Sequence, residues 1–282
     1  MLPFKIDLSD KVIAVTGGGG VLCGEMAKAL AECGAKVAVL SRKQENADTV
    51  ADAILASGGQ ALAVSCNVLE LDSITAAYEK ISSQLGDCDI LINGAGGNSP
   101  DGTADLETVD SEDIKSQLDK SFFGLTAEGI SFVFDLNFTG TVLTTQVFAK
   151  AMSEKGQGSI INISSMAAYH PLTKVMSYSA SKAAINNFTE WLAVHLAPTG
   201  VRVNAIAPGF FLTKQNEQLL MGDNNTPTER CQKIIDHTPM GRLGKADELI
   251  GALLYLASED ASGFVTGTVM AVDGGFNAYS GV

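Results

Sequence analysis

The chain has 282 residues, 46% of them hydrophobic and 18% charged, enough for one large α/β domain that buries about 75% of its unfolded surface. A formal charge of −13 argues against a nucleic-acid partner, which needs a basic face, and no apolar run approaches the roughly 20 residues of a membrane span. Five cysteines at unrelated spacings, three histidines and no basic, apolar leader over Met1–Lys11 point to a cytoplasmic protein with reduced thiols and no metal.

In chain order, apolar β-branched runs alternate with helical patterns, the mark of a parallel sheet wrapped by helices. Strands are expected at Val12–Thr16, Lys36–Ser41, Ala61–Ser65, Asp89–Asn93, Ser159–Ser164, Arg202–Ala207 and Thr268–Val272. Most are continuous apolar runs, as required when both sheet faces are covered. Helical patterns fall near 24–33, 43–57, 70–85, 138–154, 175–198 and 245–258, with Asp72, Ser73 and Asp247 placed as first-turn residues or caps. The fold class is therefore α/β, a doubly wound, seven-stranded parallel sheet in one domain.

Two connections are long for such a fold: 94–136 after the fourth strand and 209–244 after the sixth. Both leave the carboxyl edge of the sheet, where open α/β sheets bind ligands, so both are expected to wall one substrate pocket. The first strand runs into Thr16-Gly17-Gly18-Gly19-Gly20-Val21-Leu22-Cys23-Gly24. Glycines in a first βα turn let the backbone approach a pyrophosphate at a helix N-terminus. The same cluster would also suit a tight turn that holds no ligand.

Further along, Tyr178-Ser179-Ala180-Ser181-Lys182 places a phenol and an ammonium four residues apart, on one helix face. A free phenol has a pKa of ~10, and a neighbouring cation that lowered it by ~3 units would supply about 4 kcal/mol of differential stabilisation. Ordinary amphipathic helices also carry this pair by chance. Ser165 precedes Tyr178 by thirteen residues at the end of the fifth strand, beside Ser164, which reads as structural.

With these residues in this order the chain resembles the short-chain dehydrogenase/reductase family over essentially its whole length. The family's TGxxxGxG turn is matched at Thr16 and Gly17, but its second and third glycines fall on Val21 and Cys23. The resemblance implies a Rossmann-type NAD(P)-binding domain over 1–282. It assigns catalysis to Asn137, Ser165, Tyr178 and Lys182, with Tyr178 as the acid, Ser165 holding the substrate oxygen, Lys182 lowering the phenol pKa and Asn137 organising a water behind it. Cofactor contacts are implied for Gly17, Gly18, Gly20, Val21 and Leu22 in the first turn, and for Ser41 and Arg42 after the second strand. Asn67 and Val68 stand at the adenine, followed by Asn93, Ala95 and Gly96 in the Asn93-Gly94-Ala95-Gly96 stretch. Tyr178 and Lys182, then Pro208, Gly209, Phe211 and Thr213 complete the set, with Asn204 in the adjoining strand.

Cofactor choice turns on Ser41-Arg42-Lys43. A carboxylate there suits NAD and a cation suits the NADP 2′-phosphate, so the expectation is NADP or NAD, NADP favoured. Details outside these motifs, such as His237-Thr238-Pro239-Met240-Gly241-Arg242 and the ending from Val272, resemble most the D-mannonate oxidoreductase (fructuronate reductase) subgroup. That implies a sugar-acid substrate whose carboxylate needs a cation: Lys174 or Lys214, with Arg230 and Arg242 as further candidates and His170, Gln215, Asn216 and Asn98 as polar partners. The alternatives are a reductase of another polyol, gluconate or 3-oxoacyl substrate, and a non-catalytic NAD(P) sensor. Family members usually form homotetramers through helices equivalent to 138–154 and 175–198, and the latter carries Ile185, Phe188, Trp191 and Leu196.

Overall fold

The computed structural model describes residues 6–213, 220–222 and 226–281. Seven parallel strands, β1 (Val12–Thr16), β2 (Lys36–Ser41), β3 (Gln60–Ser65), β4 (Ile90–Asn93), β5 (Gly158–Ile163), β6 (Val201–Pro208) and β7 (Val269–Val272), lie in the order β3-β2-β1-β4-β5-β6-β7. Alternation along β1 sends Ile13 and Val15 to one face and Val12 and Ala14 to the other, because successive side chains of a strand point to opposite sides. The first face is covered by α1 (Val21–Glu32), α2 (Gln44–Ala56) and α9 (Ile250–Ala257) through Met26, Leu30, Ile54, Leu253 and Leu256. The second is covered by α3 (Leu71–Gln84), α6 (Gly140–Lys155) and α7 (Met176–Leu196) through Ile74, Ile81, Phe148 and Leu192. The expected doubly wound sheet is the observed one, its strand boundaries shifted by no more than a residue or two.

Strand order reverses between β1 and β4, whose ends Thr16 and Asn93 are paired in register. The Thr16 hydroxyl accepts the amides of Gly94 and Ala95 at 3.0 and 3.2 Å, so the loops leaving these two strands are tied together at the crevice where such sheets bind ligands. Beneath it Asn93 donates to Asn162 and Thr145, each at 2.9 Å, and Asn162 donates to Thr189 at 2.9 Å. This fully buried polar chain joins β4, α6, β5 and α7.

The first long connection folds into short pieces, among them α4 (Ser111–Ser116) and α5 (Ala127–Phe134). A π-helical turn, Asp135–Thr139, then leads without a break into α6. Of the second connection, α8 (Glu229–Asp236) is described, capped by Thr228. Cys231 and Ile234 of α8 make a small core with Leu220 against Phe210 and Leu212. Glu107 of the first connection meets Arg230 at 3.6 Å and Lys233 at 3.5 Å, so the two insertions touch. Asp72 and Ser73 stand in the first turn of α3 as expected, and the Ser73 hydroxyl accepts the Asn67 amide at 2.9 Å. Among the described residues all five cysteines are free thiols, no group of side chains could hold a metal ion, and no helix is long and apolar enough to cross a membrane.

Candidate active site

A cavity of about 350 Å³ opens at the carboxyl edge between β1, β4, β5 and β6. Its floor is the glycine turn. Gly17 has φ +66°, and a side chain there would lie 2.7 Å from the Gly94 carbonyl, so only glycine fits both the turn and the close approach. Gly20 precedes α1 as N-cap with no side-chain cap and no acidic residue in the first turn. The amides of Val21, Leu22 and Cys23 therefore meet the cavity at the positive end of a twelve-residue helix, a ready anion site. Cys23 occupies the place of a family glycine without blocking it: its sulfur packs against Gly94, where any side chain would collide, and burial pushes its thiol up to about 11.

The opposite wall carries Ser165, Tyr178 and Lys182. Ser165 follows β5 by two residues, and its hydroxyl oxygen accepts the Ala167 amide at 3.1 Å, which leaves its proton free to face Tyr178 across the cavity that both line. Tyr178 and Lys182, on the first turns of α7, both line the cavity, and Lys182 Nζ lies 5.7 Å from the Tyr178 ring centre. Ser164 instead turns inward, bonding Asn186 at 2.5 Å and the Lys182 carbonyl at 3.3 Å; it anchors α7, which makes it structural.

Electrostatics here differ from the expectation. Burial pushes the Tyr178 phenol above its ordinary 10, opposed by the Ser165 hydrogen bond. Burial likewise lowers Lys182 to about 8. The ammonium is spent on the Ile163 carbonyl at 2.8 Å, so in the free protein it does not activate the phenol. Burial thus favours the neutral phenol.

Asn137 also departs from its expected use. Both its amide hydrogens are committed, to the carbonyls of Gly97 at 2.7 Å and Val133 at 2.8 Å, its Oδ1 accepts the Gly97 amide at 3.1 Å, and its carbonyl takes the Thr141 hydroxyl at 3.0 Å. It clamps the loop after β4. Gly96 is pressed between Asn137 and Lys182, where a Cβ would lie 2.6 Å from Oδ1 and 3.3 Å from Nζ. The π turn aims Asn137 this way, a common use of such turns.

A second cleft of about 310 Å³ continues from the first through Gly17, Gly96 and Gly97 and is lined by Ser41, Arg42, Asn67, Val68 and Ala95. The Asn67 amide is held by Glu70 at 2.7 Å. The two cavities thus gather Gly17, Gly20, Val21, Leu22, Pro208, Gly209, Phe211 and Thr213 with the groups just named. Gly18, packed against the Val15 carbonyl and Val39, and Asn93, in the buried chain, lie outside both. Asn204 bonds Val265 and Thr268, tying β6 to the loop that leads into β7, and lines neither cavity. Sequence reasoning missed Cys23, Gly97, Ile163 and Phe210, which line the site through backbone or apolar atoms that carry no chemical signature.

The cation candidates separate. Arg242 is paired with Glu248 at 2.6 Å and Arg230 with Glu107, while Lys214, Gln215 and Asn216 lie outside the described residues. Lys174, at φ +73°, has no ion pair among the described residues, and its carbonyl accepts the Ala104 amide of the first insertion at 2.9 Å. His170 meets the Asn277 carbonyl and Asn98 donates to Thr103.

A family model for short chain dehydrogenases matches residues 11–223. The chain belongs to the short-chain dehydrogenase family. Within it, the oxidoreductase UxuB of Bacillus subtilis, of uncharacterised activity, is 52% identical over 282 residues, all of both chains. A Haemophilus influenzae crystal structure with bound NAD, provisionally described as a D-mannonate oxidoreductase, is 52% identical with a TM-score of 0.93 and 98% of each chain covered. A gluconate 5-dehydrogenase from Burkholderia cenocepacia in complex with NADP and tartrate is 29% identical, with a TM-score of 0.83 and coverage of 98% of this chain and 99% of that one. This short-chain dehydrogenase is an oxidoreductase whose cofactor is a nicotinamide dinucleotide, NAD or NADP, and the uncapped α1 terminus and glycine turn suit its pyrophosphate.

Proposed function

We propose that the chain interconverts a keto sugar acid and its hydroxy acid, of the D-fructuronate and D-mannonate type. The observation that carries this is the 52% identity, over 98% of both chains, to a protein described provisionally as a D-mannonate oxidoreductase; the likeness to a gluconate 5-dehydrogenase points to the same class of substrate. In this reading Ser165, Tyr178 and Lys182 are catalytic and Asn137 positions them. The bound cofactor supplies a hydride to the carbonyl carbon, or accepts one in the reverse direction. Tyr178 delivers the proton to the carbonyl oxygen, and Ser165 hydrogen-bonds that oxygen as its charge grows. Lys182 would hold the cofactor's ribose hydroxyls. Lys174, free of ion pairs among the described residues, is the proposed partner of the substrate carboxylate, together with Lys214.

The chain works as one domain, with 94–136 and 209–244 as the substrate wall. Its free thiols suit the cytoplasm. Met176, Trp191 and Val194 leave a strip of α7 exposed, Val194 by 78%, and this strip is the proposed seam of a homotetramer; a monomer mass at micromolar concentration would refute it. The substrate reading is tested by following NADH and NADPH absorbance with keto sugar acids, polyols and 3-oxoacyl thioesters. Turnover confined to the last two groups overturns it.

A further inference from the structure

Between the catalytic cavity and a neighbouring hollow of about 370 Å³ stands a thin wall, Phe210 and Phe211, which lines both. Its side chains are packed, Phe211 in the main core and Phe210 on Phe276 with ring centres 5.4 Å apart. Its backbone is fixed by Gly244, whose amide donates to the Phe210 carbonyl at 2.8 Å and whose carbonyl accepts the Leu212 amide at 3.3 Å, forming a parallel bridge to Phe211. Gly244 is itself held in a loop closed by a two-pronged ion pair: Arg242 Nη1 and Nη2 reach Glu248 Oε2 and Oε1 at 2.7 and 2.6 Å. Glu248 Oε2 also accepts the Lys245 amide at 2.8 Å, and Arg242 donates to the Leu243 carbonyl at 3.1 Å. Fork-to-fork pairing fixes orientation as well as distance.

We propose that Arg242 and Glu248 are positioning residues for the cofactor: their pairing sets the Gly244 bridge, and through it the cavity wall from Pro208 to Thr213. Neither side chain touches the reacting atoms. The role is independent of the substrate, so it stands or falls apart from the sugar-acid reading.

The test is NADH binding to the whole protein by isothermal titration calorimetry, with steady-state kinetics alongside. Glu248→Gln should raise the NADH dissociation constant by about threefold or more, and KM for NADH should rise by more than kcat falls. The exchanged pair Arg242→Glu with Glu248→Arg should recover most of the lost affinity. A folded Glu248→Gln protein that binds NADH within about twofold of the parent overturns the proposal. So does an exchange that recovers nothing, since the Lys245 amide bond would then be the part that mattered. Should Glu248→Gln fail to fold, Gly244→Ala decides: its Cβ would lie 2.6 Å from the Phe211 ring. It should weaken NADH similarly, and unchanged binding overturns the proposal.

Discussion

Lys182 directs its ammonium at the Ile163 carbonyl, 2.8 Å away, while passing 5.7 Å from the centre of the Tyr178 ring. Burial therefore dominates both groups: the phenol is pushed up and the ammonium down. The burial that raises the phenol and lowers the ammonium favours the neutral form of each.

Tyr178→Phe removes the proton and little else. Turnover should fall by about 10²- to 10⁴-fold, while NADH binding, followed by fluorescence, changes little. A variant that keeps more than a few per cent of activity would mean that another group is the acid.

Lys182 should also leave a signature in stability. Its pKa falls from 10.5 to about 8 in the fold, so between these values the unfolded chain binds the extra proton and stability contributed by this group rises with pH. Below about pH 8 the buried charge costs the cofactor-free protein about 3 kcal/mol, and Lys182→Met escapes that cost. In urea titrations the advantage of the methionine variant should shrink steadily from pH 8 to 10.5. Taking the difference between the two proteins cancels the buried thiols, whose raised pKa values act in the opposite direction. A constant difference across this range would show that the ammonium is well solvated.

Gly96→Ala inserts a methyl group 2.6 Å from Asn137 Oδ1 and 3.3 Å from Lys182 Nζ. One of the two must move, and displacements near 1 Å at a reacting centre cost on the order of 10²-fold. Activity should fall to that extent with the melting temperature lowered by only a few degrees. A fully active variant would mean that the loop yields and neither side chain depends on it.

Arg42 lines the second cleft without an ion pair among the described residues. A charge-assisted bond to a 2′-phosphate contributes about 1.5–3 kcal/mol, so Arg42→Ala should weaken NADPH by about ten- to a hundredfold and NADH hardly at all. Equal losses in competition binding would remove the preference for NADP.

The sequence by itself determined the sheet, because runs such as Val12–Thr16 and Lys36–Ser41 are apolar on both sides and fit only a covered parallel strand. Helix spacing also put Tyr178 and Lys182 on one face, while Ser165 was joined to them by the resemblance to the family. Tertiary structure alone decided how those groups are used. Whether Lys182 faces a phenolate or the Ile163 carbonyl depends on how α7 is seated on β5, through Ser164, Asn186 and the buried Asn93–Asn162–Thr189 chain. Asn137 became a clamp on Gly97 because a π turn, which no local pattern announces, rotates it there. Arg230 and Arg242 were lost as substrate ligands for a similar reason: the carboxylates that claim them, Glu107 and Glu248, are set beside them by loop geometry, and a charge is committed by its nearest neighbour in space.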